Sequence, residues 1–168
     1  MENGIAVPKN CAVDVIFVLD ESGSIKPHNF DLMKSFLAHI TRQLRADIDS
    51  RRTRVGIATY NNKVTDTINL NAHSSTNAVL IALRSLTYSD GKTFTDRALR
   101  HVRTQMLTST AGDRSNIRNV VVVLTDGRSK HPERTQVCTM RKLITKLPHL
   151  NKKLSYGRET ALQLCTSN

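Results

Sequence analysis

Asp20-Glu21-Ser22-Gly23-Ser24 sets a carboxylate and two hydroxyls on alternate residues, directly after a long apolar run. In an extended loop such residues can converge on one point, and Gly23 lets the loop turn tightly. Two further loops carry matching chemistry. Gly91-Lys92-Thr93 offers a third hydroxyl, and Thr125-Asp126-Gly127 offers a second carboxylate. All five groups are oxygen donors and only two carry formal charge. A hard dication such as Mg²⁺ takes about six oxygens at about 2.1 Å and keeps several waters, so this donor set suits it, with Mn²⁺ or Ca²⁺ as alternatives.

These residues must be positioned by the elements around them. Val13 to Leu19 is a nearly continuous apolar, β-branched run, which predicts a strand buried on both faces and ending on Asp20. From Pro27 the spacing of Phe30, Met33, Leu37, Ile40 and Leu44 predicts an amphipathic helix with proline in its first turn. Residues 54–60 read as a strand, Asn61-Asn62-Lys63 as a tight turn, and Val64 to Leu70 as an antiparallel edge strand. Val79, Leu83 and Leu86 mark a short helix before the turn residues Ser89-Asp90-Gly91. Ala98, Val102 and Met106 mark another, with Thr95 or Asp96 as its cap. Asn119 to Thr125 is the most strand-like segment, and Val137, Met140, Ile144 and Leu147 keep a helical period until Pro148.

The order strand, helix, strand, strand, helix, helix, strand, helix predicts an α/β fold. It is an open, mostly parallel, doubly wound (Rossmann-like) sheet with one antiparallel edge strand and helices on both faces. Ligands of such sheets bind beyond the carboxyl ends of the strands. Asp20 and Asp126 both fall there.

At 168 residues, 39% of them hydrophobic, the chain suffices for one domain with a real core. It holds no apolar stretch long enough to span a membrane and no visible signal peptide. The formal charge of +11 is concentrated late: residues 128–168 carry nine basic and two acidic side chains, against sixteen and twelve before them. That tail has only Tyr156 for base stacking, so a solvated basic face is favoured over specific nucleic-acid binding. Cys11, Cys138 and Cys165 are too few for a disulfide-built fold and wrongly spaced for zinc. A Cys11–Cys165 bridge in an oxidising compartment and three free thiols are equally open readings.

The three loops together resemble the von Willebrand factor type A (VWA) domain, also called the integrin I-domain. Its metal-ion-dependent adhesion site (MIDAS) reads Asp-x-Ser-x-Ser, then Gly-x-Thr-x-Thr, then Thr-Asp-Gly, matched here by 20–24, 91–95 and 125–127 in order. The text around them, DVIFVLDESGSI, RVGIATY and NVVVVLTDG, is most similar to the matrix-protein branch: type VI collagen, matrilins and molluscan shell-matrix proteins. The resemblance implies that Ser22, Ser24 and Thr93 give hydroxyl oxygens, that Asp20 and Asp126 bind directly or through water, and that one metal position stays open for a partner's carboxylate. Few charged ligands leave the metal electrophilic, which agrees with that role. Glu21, Lys92 and Gly127 fall on the ligand-binding rim, with Glu21 expected to face solvent. Lys92 either attracts an anionic ligand or is a solvated loop lysine; His28 and His73 are surface residues.

The resemblance implies a non-enzymatic, extracellular, matrix-binding module within a larger secreted protein, whose partner is an acidic protein or a collagen-like component. Four rivals stand beside it: an intracellular VWA scaffold, a polyanion binder acting through the basic tail, a metal-dependent phosphohydrolase, and a pair of plain strand-end caps. The phosphohydrolase lacks a nucleophile, a general acid and a phosphate loop. The domain is expected over 11–147, after a leader at 1–10 and before a divergent basic tail at 148–168. The resemblance implies further strands after Asp126 for which the pattern shows no counterpart. The edge of strand 120–124 is therefore expected to be open, and to promote aggregation or pairing with another chain.

Overall fold

In the computed structural model, residues 12–43, 48, 51–126, 129–139 and 144–146 are described. Eight consecutive residues of β1 (Val13–Asp20) form the central strand, flanked in parallel by β2 (Thr53–Tyr60) and β4 (Arg118–Leu124). β3 (Val64–Ile68) pairs antiparallel with β2, and β5 (Ile144–Lys146) pairs parallel with β4, giving the order β3-β2-β1-β4-β5. This is the mostly parallel, doubly wound sheet with an antiparallel edge strand that the sequence predicts.

The continuous apolar run of β1 has a direct cause in packing. Its side chains alternate between two cores. Val15, Phe17 and Leu19 pack with Phe30, Met33 and Leu37 of α1 (Lys26–Gln43) and with Val79, Leu80 and Leu83 of α2 (Thr76–Ser85). Ile16 and Val18 face the other way, onto Ala98 and Leu99 of α3 (Thr95–His101) and Val102 and Met106 of the wider π-helical turn that continues it. The apolar period fixed which residues are buried there, but not the change of helical pitch after His101. Nor do Thr95 and Asp96 cap α3. Phe94 holds that position with no side-chain cap, and both polar residues are buried in the first turn.

At the base of the sheet, Arg114 reaches the wholly buried Asp14 at 2.6 Å and also donates to the carbonyls of Arg51 and Arg52, at 2.8 Å each. This clamp holds the amino ends of β1 and β2 together.

Two expectations are corrected on the far side of β4. The helical period through Ile144 and Leu147 does not yield one helix: α4 covers Pro132–Thr139, and Ile144–Lys146 is a strand. Its register, Val121 with Ile144 through Val123 with Lys146, occupies the edge expected to be open. β-Branched Ile144 and Thr145 fit an extended backbone as readily as a helix, and pairing with β4 satisfies peptide groups that an open edge would leave unpaired. Among the described residues, no helix is long and apolar enough to cross a membrane. Cys11, Cys165, Gly127 and the basic stretch from 147 onward lie outside the described residues.

Candidate metal centre

The site is built at the carboxyl edge of the sheet, where β1 and β4 end side by side. Asp20 closes β1 and is wholly buried. One carboxylate oxygen accepts the Ser22 amide at 2.8 Å and the other accepts the Thr125 hydroxyl at 2.6 Å, so the loop after β1 and the end of β4 hold it from two sides. The Ser22 and Ser24 hydroxyls lie 3.3 Å apart. Thr93 donates to Ser22 at 3.0 Å, and Ser24 donates to Asp126 at 3.0 Å. The five sequence-predicted residues are thus brought together. They form a layered cup with Asp20 at the floor, Ser22 and Thr93 buried in the wall, and exposed Ser24 with half-buried Asp126 at the mouth.

The loops are locked against one another by backbone contacts. The Gly23 amide donates to the Gly91 carbonyl at 2.9 Å, bringing the first and second loops within one hydrogen bond. A Cβ at Gly23 would sit 2.4 Å from Asp90 Oδ1, so any larger residue there would have to push the Asp90 side chain aside. Asn61, after β2, supports the second loop by donating to the Ser89 and Asp90 carbonyls, at 3.3 and 3.0 Å. The Lys130 amide donates to the Thr93 carbonyl at 2.8 Å, tying the segment after β4 to the same loop.

Burial pushes the Asp20 carboxyl above the usual carboxylate range, and the nearby Asp126 adds to the effect; hydrogen bonds from Thr125 and Ser22 oppose it. Two carboxylates and three hydroxyls at one point, with no nitrogen or sulfur among them, form a hard, electron-rich donor set. Such a set fits a divalent cation of the Mg²⁺ type, whose charge would relieve the strain on buried Asp20.

Three neighbours did not emerge from the motif. Glu21 does not face solvent: it is wholly buried, its amide donates to the Tyr60 carbonyl, and its carboxylate accepts from Thr65. Its position in the motif suggested a rim residue, whereas the β-hairpin after β2 folds over it. Tyr60, opposite Asp20 in the sheet register, is buried with its hydroxyl 3.1 Å from Thr95, and its own pKa is raised by burial and by the Asp20 charge. Thr125 was visible as the first letter of Thr-Asp-Gly, but its task of holding Asp20 was not. Lys92 is exposed, with its amide on Asn62 at 2.9 Å.

Residues 14–148 match the von Willebrand factor type A domain family. The chain is similar to human (Homo sapiens) matrilin-1, 31% identical over 119 residues covering 71% of this chain and 24% of that protein. It is also similar to the collagen alpha-1(XX) chain of Mus musculus, 37% identical over 122 residues covering 73% of this chain and 9% of that one. The chain therefore spans a quarter or less of these relatives. Among solved structures, proximal thread matrix protein 1 from the mussel byssus, with zinc in its MIDAS motif, superposes with a TM-score of 0.64 at 27% identity, covering 71% of this chain and 30% of that one. A second crystal form of the same mussel protein gives 0.68 at 25% identity, covering 80% and 34%. The chain belongs to the von Willebrand factor type A domain family, within its matrix-protein branch.

Proposed function

We propose that Asp20, Ser22, Ser24, Thr93 and Asp126 bind one divalent cation, and that the domain uses it for adhesion and not for catalysis. The observation that carries this reading is the cup itself: three loops converge two carboxylates and three hydroxyls at the carboxyl edge of the sheet, with the mouth at Ser24 and Asp126. Mg²⁺ fits these oxygens, and Mn²⁺ or Ca²⁺ would use the same set. The zinc in the mussel protein's MIDAS supports metal binding in the family without selecting the ion for this chain.

The cation, bound through few charged ligands, would accept a carboxylate from an acidic partner. Exposed Lys92 stands beside Thr93, where an ammonium favours an anionic ligand. The named relatives, matrilin-1 and a collagen chain, support a secreted setting within a larger protein and a collagen-like or other matrix component as partner. The test is solid-phase binding to immobilised collagen and to an acidic matrix extract, in Mg²⁺ and in EDTA, with the parent chain and Asp20→Ala. Binding should vanish on chelation and in the variant. Capture that survives both would overturn the reading.

A further inference from the structure

A second surface lies beside the cup and owes nothing to its metal. Lys63, Arg97, Arg100 and His101 line an open groove of about 550 Å³ between β3 and the helix formed by α3 and its π-helical continuation. Arg97, Arg100, His101 and Thr104 recur at helical spacing, so one helix face presents them together. Among the described residues, no acidic side chain lines the groove, and Lys63, Arg97 and Arg100 form no ion pair. Lys63 and Arg100 are exposed. Arg97 is held in place: it donates to the Asn62 carbonyl at 2.6 Å and stacks 4.1 Å from the Phe94 ring centroid, which leaves its other N–H groups for a ligand.

Three concentrated cations repel one another, and an anion spanning them relieves that repulsion. The lining also narrows the class of anion. Among the described residues that line it, Val64 alone is aliphatic, so a peptide would find little footing for an apolar anchor. The described lining holds no tryptophan, tyrosine or phenylalanine on which bases would stack. Guanidinium forks grip tetrahedral oxyanions through paired hydrogen bonds. Thr67, Thr104 and Gln105 add neutral groups suited to sugar hydroxyls. We infer that this groove binds a sulfated polysaccharide, independently of the divalent cation.

Heparin is the probe, bound to the 168-residue chain in EDTA at about 0.15 M salt and followed by calorimetry. Lys63→Ala/Arg100→Ala should weaken binding about tenfold and flatten its salt dependence, since two charge contacts are lost. Arg42→Ala/Arg84→Ala removes two exposed charges from α1 and α2, on the opposite face of the sheet, and should bind as the parent does. Lys152→Ala/Lys153→Ala, in the basic tail, should do likewise. Hyaluronan and poly-glutamate, which carry carboxylates without sulfate, should bind at least tenfold more weakly than heparin. The inference is overturned by absence of heparin binding, by equal losses in all three variants, by a loss confined to the tail variant, or by poly-glutamate binding as tightly as heparin. Because every measurement is made in EDTA, failure of the metal reading would leave the result unaffected.

Discussion

Thr125→Val isolates the part of the proposed metal centre that would orient rather than ligate. The Thr125 hydroxyl donates to Asp20 at 2.6 Å, and Asp20 is wholly buried, with the Ser22 amide on its other oxygen. Valine keeps the branched shape and removes the hydroxyl, which donates to Asp20 and also contacts the Tyr60 hydroxyl. A hydrogen bond to a charged group contributes about 1.5–3 kcal/mol. The metal-free protein can escape part of that loss by protonating Asp20, whose carboxyl is already raised by burial, whereas the metal-loaded protein requires the carboxylate. Most of the loss therefore falls on the loaded state. Mg²⁺ affinity should drop about 10- to 100-fold, the range typical of groups that orient metal ligands. Titration calorimetry at pH 7 on the parent, Thr125→Val and Thr125→Ser measures it, and serine should restore most of the affinity. Were Thr125→Val to bind Mg²⁺ within twofold of the parent while Asp20→Ala abolished the heat, the assignment of Thr125 as the orienting group would be refuted.

Two further outcomes follow from groups already described. Asp20's folded pKa lies above that of an unfolded aspartate, about 3.9, so its burial costs the metal-free protein nothing at lower pH and costs progressively more as pH rises through the folded value. Bound Mg²⁺ offsets that cost, so the Tm gap between Mg²⁺ and EDTA samples should widen from pH 4 to pH 7; a constant gap would contradict this. Arg114→Met strands the buried Asp14 charge and should cost about 3–5 kcal/mol in urea unfolding, with Asp14→Leu in the same chain recovering most of it. A loss below about 1 kcal/mol would show that the clamp contributes little.

The central sheet was legible because β1 and β4 must be apolar on both faces, and that demand writes itself into consecutive residues such as Val15 to Leu19. The convergence of Asp20, Ser22, Ser24 and Asp126 was legible because their loops leave the carboxyl ends of β1 and β4, neighbours in a parallel sheet, whereas Thr93, in the connection between α2 and α3, was placed only by the Gly-x-Thr-x-Thr match. Glu21 was misjudged because its burial depends on the β2–β3 hairpin, a contact with Thr65 that no local pattern encodes. The same holds for Tyr60, which reads as the end of a strand until the parallel register sets it opposite Asp20. β5 was missed for another reason: three residues are too short for a period to show, and only the presence of β4 makes the extended form worthwhile.

The placement of the cup at one tip of the central strand has a mechanical meaning. A partner pulling on Asp20 while the chain entering at Val13 is held loads β1 along its own length. Eight aligned residue pairs on the β2 side and seven on the β4 side then lie across the direction of pull. The covalent backbone of β1 carries that pull, and the hydrogen bonds across it resist any slide of the strand along its axis together, in shear, not one after another like a zipper. If the proposed adhesive role holds, the strand that would present Asp20 to a ligand is also, among the described residues, the one tethered on both sides along nearly its whole length.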